Sequence, residues 1–214
     1  MTHTESFTAT MSTHTFHDRL ISNSAGVLAG LALFATGTFA SWAGVMVVGL
    51  LMAVVEEDVR HRRIPNRITF FGFAAAVLYS TWVAGFGGFL AAFAGAAAAL
   101  AILAIPFAMR WLGAGDVKAV MALGAFFGPG AMPALLWWIT VIGGALAVLT
   151  LLARGGLLEV AQRWAGSILL TTFNSRPRYL VPVAGSTAAT GIPFGVAIAL
   201  GVVAYQNWGM TWIS

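Results

Sequence analysis

Charge is scarce in this chain. Its 214 residues include 11 Lys or Arg and 7 Asp or Glu, where an ordinary soluble domain of that length carries about 50 charged residues. The shortage excludes a normal soluble protein. With 59% hydrophobic residues, 25 glycines and a mean hydropathy of +0.88, the apolar excess is too large for one soluble core, so a bilayer must solvate most of it. Cysteine is absent altogether, which excludes a disulfide framework, a Cys-type zinc site, a thiolate nucleophile and an iron–sulfur cluster. Three of the four histidines fall in the N-terminal tail, so neither a catalytic triad nor a zinc site is available, and no metal or cofactor is expected. The net charge of +4 reads as basic loops on one side of a membrane rather than as a nucleic-acid surface.

The few charges are clustered, and the stretches between clusters map the fold. Residues 20 to 55 are charge-free and are followed by Glu56, Glu57, Asp58, Arg60, Arg62, Arg63 and Arg67. Residues 68 to 109 are charge-free up to Arg110, Asp116 and Lys118, and residues 119 to 153 up to Arg154, Glu159, Arg163, Arg176 and Arg178. A helical span needs about 20 apolar residues, so a charge-free stretch of about 40 between basic clusters predicts an out-and-back hairpin. For residues 68 to 109 the turn is expected at Gly85, Gly87 and Gly88. Residues 119 to 153 divide at Gly128-Pro129-Gly130 into a short arm beginning near Asp116 and a full-length arm over 132 to 153. The short arm needs a thinned bilayer or shelter from its neighbours to cross. A last span is expected over about 190 to 208.

The expected fold class is therefore all-α, a polytopic transmembrane helical bundle with six or seven spans, a short broken arm and an amphipathic cytoplasmic segment. Residues 20 to 55 hold either one long span or two short ones broken near Thr36-Gly37-Thr38 and Ser41, and the second is favoured. A cleaved signal peptide is the weaker alternative, because only Arg19 flanks the leading apolar segment and a long polar stretch precedes it. Residues 1–22 are expected to be a disordered polar tail and residues 23–214 a single transmembrane domain. From Leu157 to Phe173, Glu159 and Arg163 share one helical face, with Leu157, Leu158, Val160 and Trp164 on others. That pattern fits an interfacial amphipathic helix or an ordinary linker helix. The pairs Gly26/Gly30, Gly124/Gly128 and Gly191/Gly195 predict close helix packing. The positive-inside rule places the basic clusters in the cytoplasm.

Chemistry is expected where acids are kept at the membrane boundary despite their cost. Glu56-Glu57-Asp58 fan over roughly 200° of helix surface, so at most two can face one partner. Asp116 stands within Gly113-Ala114-Gly115-Asp116-Val117-Lys118. Each set has a plain structural reading too: an acidic helix end paired with the following arginines, and an N-cap after a glycine turn. Lys118 could be a snorkelling anchor. The glycine-rich stretch is not a phosphate loop, since it lacks G-x-x-x-x-G-K-[ST] and its acid would repel a phosphate. Two boundary aspartates on separate helices, if they converge, would share a proton. One could then activate water while the other, protonated, polarises the scissile carbonyl and later protonates the leaving amine.

At these residues the sequence resembles the type IV prepilin peptidases, membrane aspartic endopeptidases of the G-x-G-D class. Asp58 followed by Arg63-Ile64-Pro65-Asn66 is similar to that family's first aspartate and its R-I-P-N loop. Gly113, Gly115, Asp116 and Lys118 match G-x-G-D-x-K, and Gly191-Ile192-Pro193-Phe194-Gly195-Val196-Ala197 resembles the motif opening the last helix. The resemblance covers about residues 45 to 205. It implies Asp58 and Asp116 as the catalytic pair, with Pro65, Asn66, Gly113, Gly115 and Lys118 supporting the motifs. It also implies cleavage of a prepilin leader at the cytoplasmic face of the inner membrane, after a glycine that precedes the substrate's hydrophobic helix. Prepilin and membrane lipids are the implied partners. Bifunctional members carry a CxxC-bearing methyltransferase domain for which this chain has neither cysteine nor room, so it resembles the short peptidase-only members of tight-adherence (Flp) systems, and methylation is not expected. Glu56 and Glu57 lie outside the motif and are possible modulators of the dyad's pKa. The competing classes are a catalytically silent scaffold subunit of a pilus or secretion assembly, and a transporter whose acids carry protons.

Overall fold

The computed structural model describes residues 41–153 and 194–209, with residues 161, 162 and 165 besides. The N-terminal tail, the region before Ser41, Gly191 and most of the Leu157–Phe173 segment lie outside the described residues, and so do the expectations placed on them. All the described elements are helical: α1 Trp42–His61, α2 Asn66–Ala108, α3 Ala114–Phe127, a 3-10 turn Pro129–Ala131, α4 Met132–Ala153 and α5 Phe194–Trp208. Two stretches, Asn66–Ala108 and Pro129–Ala153, are long and apolar enough to cross a membrane. By clustering of contacts the chain divides into two units, Met1–Thr140 with Pro193–Ser214, and Val141–Ile192. Of the second, the main described part is the helical stretch ending at Ala153. The first unit holds the core.

Helix α1 begins where Ser41 Oγ accepts the Gly44 N–H at 3.1 Å, satisfying one of the free amides of a first turn. Val47, Leu51 and Val54 recur at four and three residues and are buried, and the next step of that spacing is Asp58. The helical period therefore carries the carboxylate onto the buried face. The helix stops at Arg62, which adopts a left-handed conformation (φ 52°) and donates its N–H to the Asp58 carbonyl. Pro65 follows and begins the next helix.

Helix α2 is a hairpin in which two arms meet at Ala84 (φ −124°, ψ 15°) and Gly85 (φ 61°, ψ −144°). A positive φ with that ψ is open to glycine and to almost nothing else. The rings of Phe73 and Phe93 lie 5.4 Å apart in an edge-to-face pair, whereas 20 residues of continuous helix would separate them by about 30 Å. The arms come close enough that a Cβ on Gly88 would meet the Ser80 carbonyl oxygen at 1.9 Å. The turn expected among Gly85, Gly87 and Gly88 is thus formed at Gly85. The second arm carries the alanine-rich run, with Ala92, Ala96 and Ala99 buried. Pro106, which has no N–H to donate, precedes the helix end at Ala108.

The short arm is α3, 14 residues long and about 21 Å. Val117, Ala119, Val120, Ala122, Leu123, Gly124 and Ala125 are all buried, so its neighbours cover it on most sides. Gly124 meets Gly95 backbone to backbone: a Cβ on Gly95 would lie 1.9 Å from the Gly124 carbonyl oxygen. Small residues allow this approach, and dispersion between the two backbones rewards it. Gly128, at φ 78°, caps α3 with its N–H on the Gly124 carbonyl at 2.8 Å, so the expected pair Gly124/Gly128 combines one crossing point with one cap. The 3-10 turn and α4 follow. Helix α5 buries Ala197, Ile198, Ala199 and Val202, and Gly201 sits where a Cβ would be 2.5 Å from Ile139 Cγ1.

Large apolar side chains are left outside. Trp82 and Phe86 flank the hairpin turn with 88% and 74% of their surface exposed, and Phe70, Phe71 and Trp111 are exposed toward the hairpin's other end. In water such a surface is an aggregation hazard, whereas two aromatic girdles a helix-length apart suit the two interfaces of a bilayer.

Candidate active site

Three chain segments meet at the hairpin end opposite Gly85. The first is the loop after α1. Ile64 is buried against Gly115, where a Cβ would lie 3.1 Å from both the Cβ and the carbonyl oxygen of Ile64. The absence of a side chain at Gly115 therefore lets the loop at Arg63–Asn66 close on the glycine turn that opens α3. A second tie joins the same segments: Lys118 Nζ donates to Asn66 Oδ1 at 2.8 Å. Pro65 (φ −64°) sets the extended backbone from which Asn66 starts α2.

Asp58, on the buried face of α1, has 6% of its surface exposed. Its Oδ2 accepts the backbone N–H of Gly195, 137 residues away, at 2.6 Å. Asp116 is partly buried. It is the third residue of α3 rather than its N-cap, because the extended backbone of Gly113 (φ −74°, ψ 151°) starts the helix at Ala114. From there the Asp116 Oδ2 reaches back to accept the Gly113 N–H at 3.1 Å. A Cβ on Gly113 would stand 3.1 Å from that same oxygen.

Both carboxylates lie outside the two membrane-length apolar stretches, and both titrate above the ordinary aspartate range. Burial pushes Asp58 up, opposed by the Gly195 amide and by the positive charge of Arg62. Burial likewise pushes Asp116 up, to about 6; the Gly113 amide opposes the shift and the negative charge of Asp58 adds to it. The two groups thus feel each other's charge. Glu56 and Glu57 are held differently, Glu56 by Arg60 at 3.0 Å and Glu57 by His61 at 2.8 Å, in partly exposed pairs one turn apart along α1. Beside the Lys118–Asn66 tie a mainly apolar pocket of about 330 Å³ is lined by Asn66, Thr69, Phe70, Phe73, Lys118 and Met121.

The model of the type IV leader peptidase family matches residues 45–148. This stretch belongs to the type IV leader peptidase family. It contains Asp58, Pro65, Asn66, Gly113, Gly115, Asp116 and Lys118. No curated protein and no solved structure matches the chain. A peptidase with a type IV leader peptidase-like function follows from the family, and the apolar helices fit a membrane protein.

Of the residues singled out by sequence within the matched stretch, the structure brings Asp58, Ile64, Asn66, Gly113, Gly115, Asp116 and Lys118 into one neighbourhood, and leaves Glu56 and Glu57 engaged with their own helix. Gly195 had no role assigned from sequence beyond its place in a glycine pair and in the run opening the last helix. Its contact with Asp58 depends on how α5 docks on α1, which no local spacing reports.

Proposed function

We propose that this chain is a membrane-embedded aspartic endopeptidase that removes the leader peptide of type IV, Flp-like prepilins at the cytoplasmic face of the inner membrane, with Asp58 and Asp116 as its acid–base pair. The observation that carries the reading is the meeting of the two acid-bearing motif segments. Gly115 closes on Ile64, and the Asp58 charge helps to raise Asp116. Two like charges in a partly desolvated site hold one proton between them more readily than none. The ionised member takes a proton from water as the oxygen attacks the scissile carbonyl carbon, and the protonated member gives its proton to the carbonyl oxygen. The bundle crosses the bilayer several times, and the hairpin end bearing Arg62, Arg63, Arg67 and Arg110 faces the cytoplasm by the positive-inside rule. The exposed apolar faces at that end supply a lipid-depth surface along which a substrate's hydrophobic helix can lie.

The test is processing of a co-expressed prepilin. Asp58→Asn and Asp116→Asn are each expected to lower the cleavage rate by a factor on the order of 10³ or more while the protein still inserts. Glu56→Gln and Glu57→Gln, whose partners are partly exposed, are expected to keep it within about threefold. Cleavage retained in both aspartate variants would remove the two-aspartate mechanism.

A further inference from the structure

We propose that the backbone amide of Gly195 is a positioning group for hydrolysis: by donating to Asp58 Oδ2 it aims and ionises that carboxylate, making Asp58 the general base and leaving Asp116 to carry the shared proton as general acid. This assignment rests on the two-aspartate reading above.

The two carboxylates are held by amides of unequal length and burial. The Gly195 N–H reaches Asp58 at 2.6 Å in a buried contact, whereas the Gly113 N–H reaches Asp116 at 3.1 Å in an exposed one. Gly195 lies near the start of the described part of α5 and turns its N–H to Asp58, as Gly113 at the start of α3 turns its own to Asp116. Close packing of Gly195 on α1 goes with the shorter bond. A Cβ on Gly195 would lie 3.0 Å from Asp58 Cβ, 3.2 Å from Asp58 Oδ2 and 3.2 Å from the Val54 carbonyl oxygen. A side chain here would press on Asp58 and on the Val54 carbonyl, so glycine lets α5 sit closest to this turn of α1.

Burial raises Asp58 most, the Gly195 amide opposes it, and the charges around it divide. Arg62 lies one turn further along its own helix end and favours the anion. Asp116, from α3, is the acid that Asp58 in turn disfavours as an anion. Helix α5 contributes the amide and no charged side chain between Phe194 and Trp208; its Tyr205 packs on Phe127 instead. From α2, Arg67 borders a different face of α1, beside Met46, Leu50 and Ala53.

The reaction then runs with a fixed division of labour. Asp58 removes a proton from water as the water oxygen bonds to the scissile carbonyl carbon, and the Asp116 proton passes to the carbonyl oxygen, giving a tetrahedral diol. As the C–N bond breaks, Asp58 returns its proton to the departing amine nitrogen and a diol hydroxyl returns one to Asp116. One water is consumed and both carboxyl groups regain their starting states.

The experiment is the pH profile of kcat/KM for leader removal by the full-length protein in detergent micelles. In Gly195→Ala the methyl lengthens the hydrogen bond from the residue-195 N–H to Asp58, and the acid limb, which reports ionisation of the base, is expected to move up by about one pH unit while the alkaline limb stays. Gly201→Ala on the same helix meets Ile139 rather than an aspartate; it is expected to lower the melting temperature and move neither limb. Should Gly195→Ala fail to insert, an amide-to-ester replacement of the Phe194–Gly195 bond deletes the N–H without adding an atom and is expected to give the same shift. An unmoved acid limb in the ester variant, or a shift confined to the alkaline limb, overturns the assignment. Its failure is separable from that of the two-aspartate mechanism, which falls only if Asp58→Asn and Asp116→Asn both keep cleaving.

Discussion

Replacing Gly95 with alanine would place a methyl carbon 1.9 Å from the carbonyl oxygen of Gly124, 2.7 Å from its carbonyl carbon and 3.0 Å from the carbonyl carbon of Gly128. All three are backbone atoms, so no rotamer change relieves the contact. The second arm of α2 and α3 must separate by roughly 1 Å before the closest approach becomes tolerable. Such overpacking costs about 3 kcal/mol, the upper part of the usual range, because the obstacle is rigid. The displacement also reaches the site. Asp116 lies two turns before Gly124 on the same helix, about 12 Å along its axis, and α3 moves as a unit. A shift of about 1 Å in one member of the proposed acid–base pair lowers the rate on the order of 10²-fold. Thermal unfolding in detergent and the rate of leader removal measure the two effects separately. Gly87→Ala is the control, since a Cβ there meets nothing within 4 Å, and it is expected to change stability by less than about 0.5 kcal/mol. A Gly95→Ala protein that melts and cleaves like the parent would refute the backbone-to-backbone crossing and the transmission through α3.

Two other perturbations address the site directly. Because Asp116 titrates at about 6 when folded and near 3.8 when unfolded, the folded state binds more protons between those values. Its stability should therefore fall as pH rises from about 4 to about 6 and level off above, and Asp116→Asn should flatten that slope in unfolding curves taken across the range. The Lys118–Asn66 tie is partly open to solvent, so a double-mutant cycle of Lys118→Met and Asn66→Ala should yield a coupling of about 1 kcal/mol in unfolding free energy, and a coupling near zero would dismiss the tie as a structural link.

Much of the hairpin was legible because its causes are local. A charge-free run with glycines in the middle and basic residues at both ends has few ways to fold in a bilayer, and residues 66–108 took the expected one. The boundary of α3 was nearly as legible, with Gly113 and Gly128 standing just outside its two ends. The selection of Asp58 over Glu56 and Glu57 was readable in principle from the spacing of Val47, Leu51 and Val54, since those residues mark the buried face that Asp58 shares. The position of Asp116 differs by three residues from the N-cap alternative, a difference decided by the backbone dihedrals of Gly113 rather than by residue type. What local pattern could not reveal were contacts made by the docking of distant segments: Gly95 on Gly124, Gly201 on Ile139 and, above all, Gly195 on Asp58. Glycine was visible at each of these positions, but its partner was not, because a missing side chain reports that something comes close without reporting what.

The left-handed residue that ends α1 joins two opposed effects in one side chain. At φ 52° an arginine pays a steric penalty of about 1 kcal/mol that glycine would avoid. Optimising the chain for thermal robustness alone would therefore favour Arg62→Gly. The same exchange would delete the cation that favours the ionised form of Asp58, so one side chain ties the strained end of α1 to the charge of the carboxylate one turn before it.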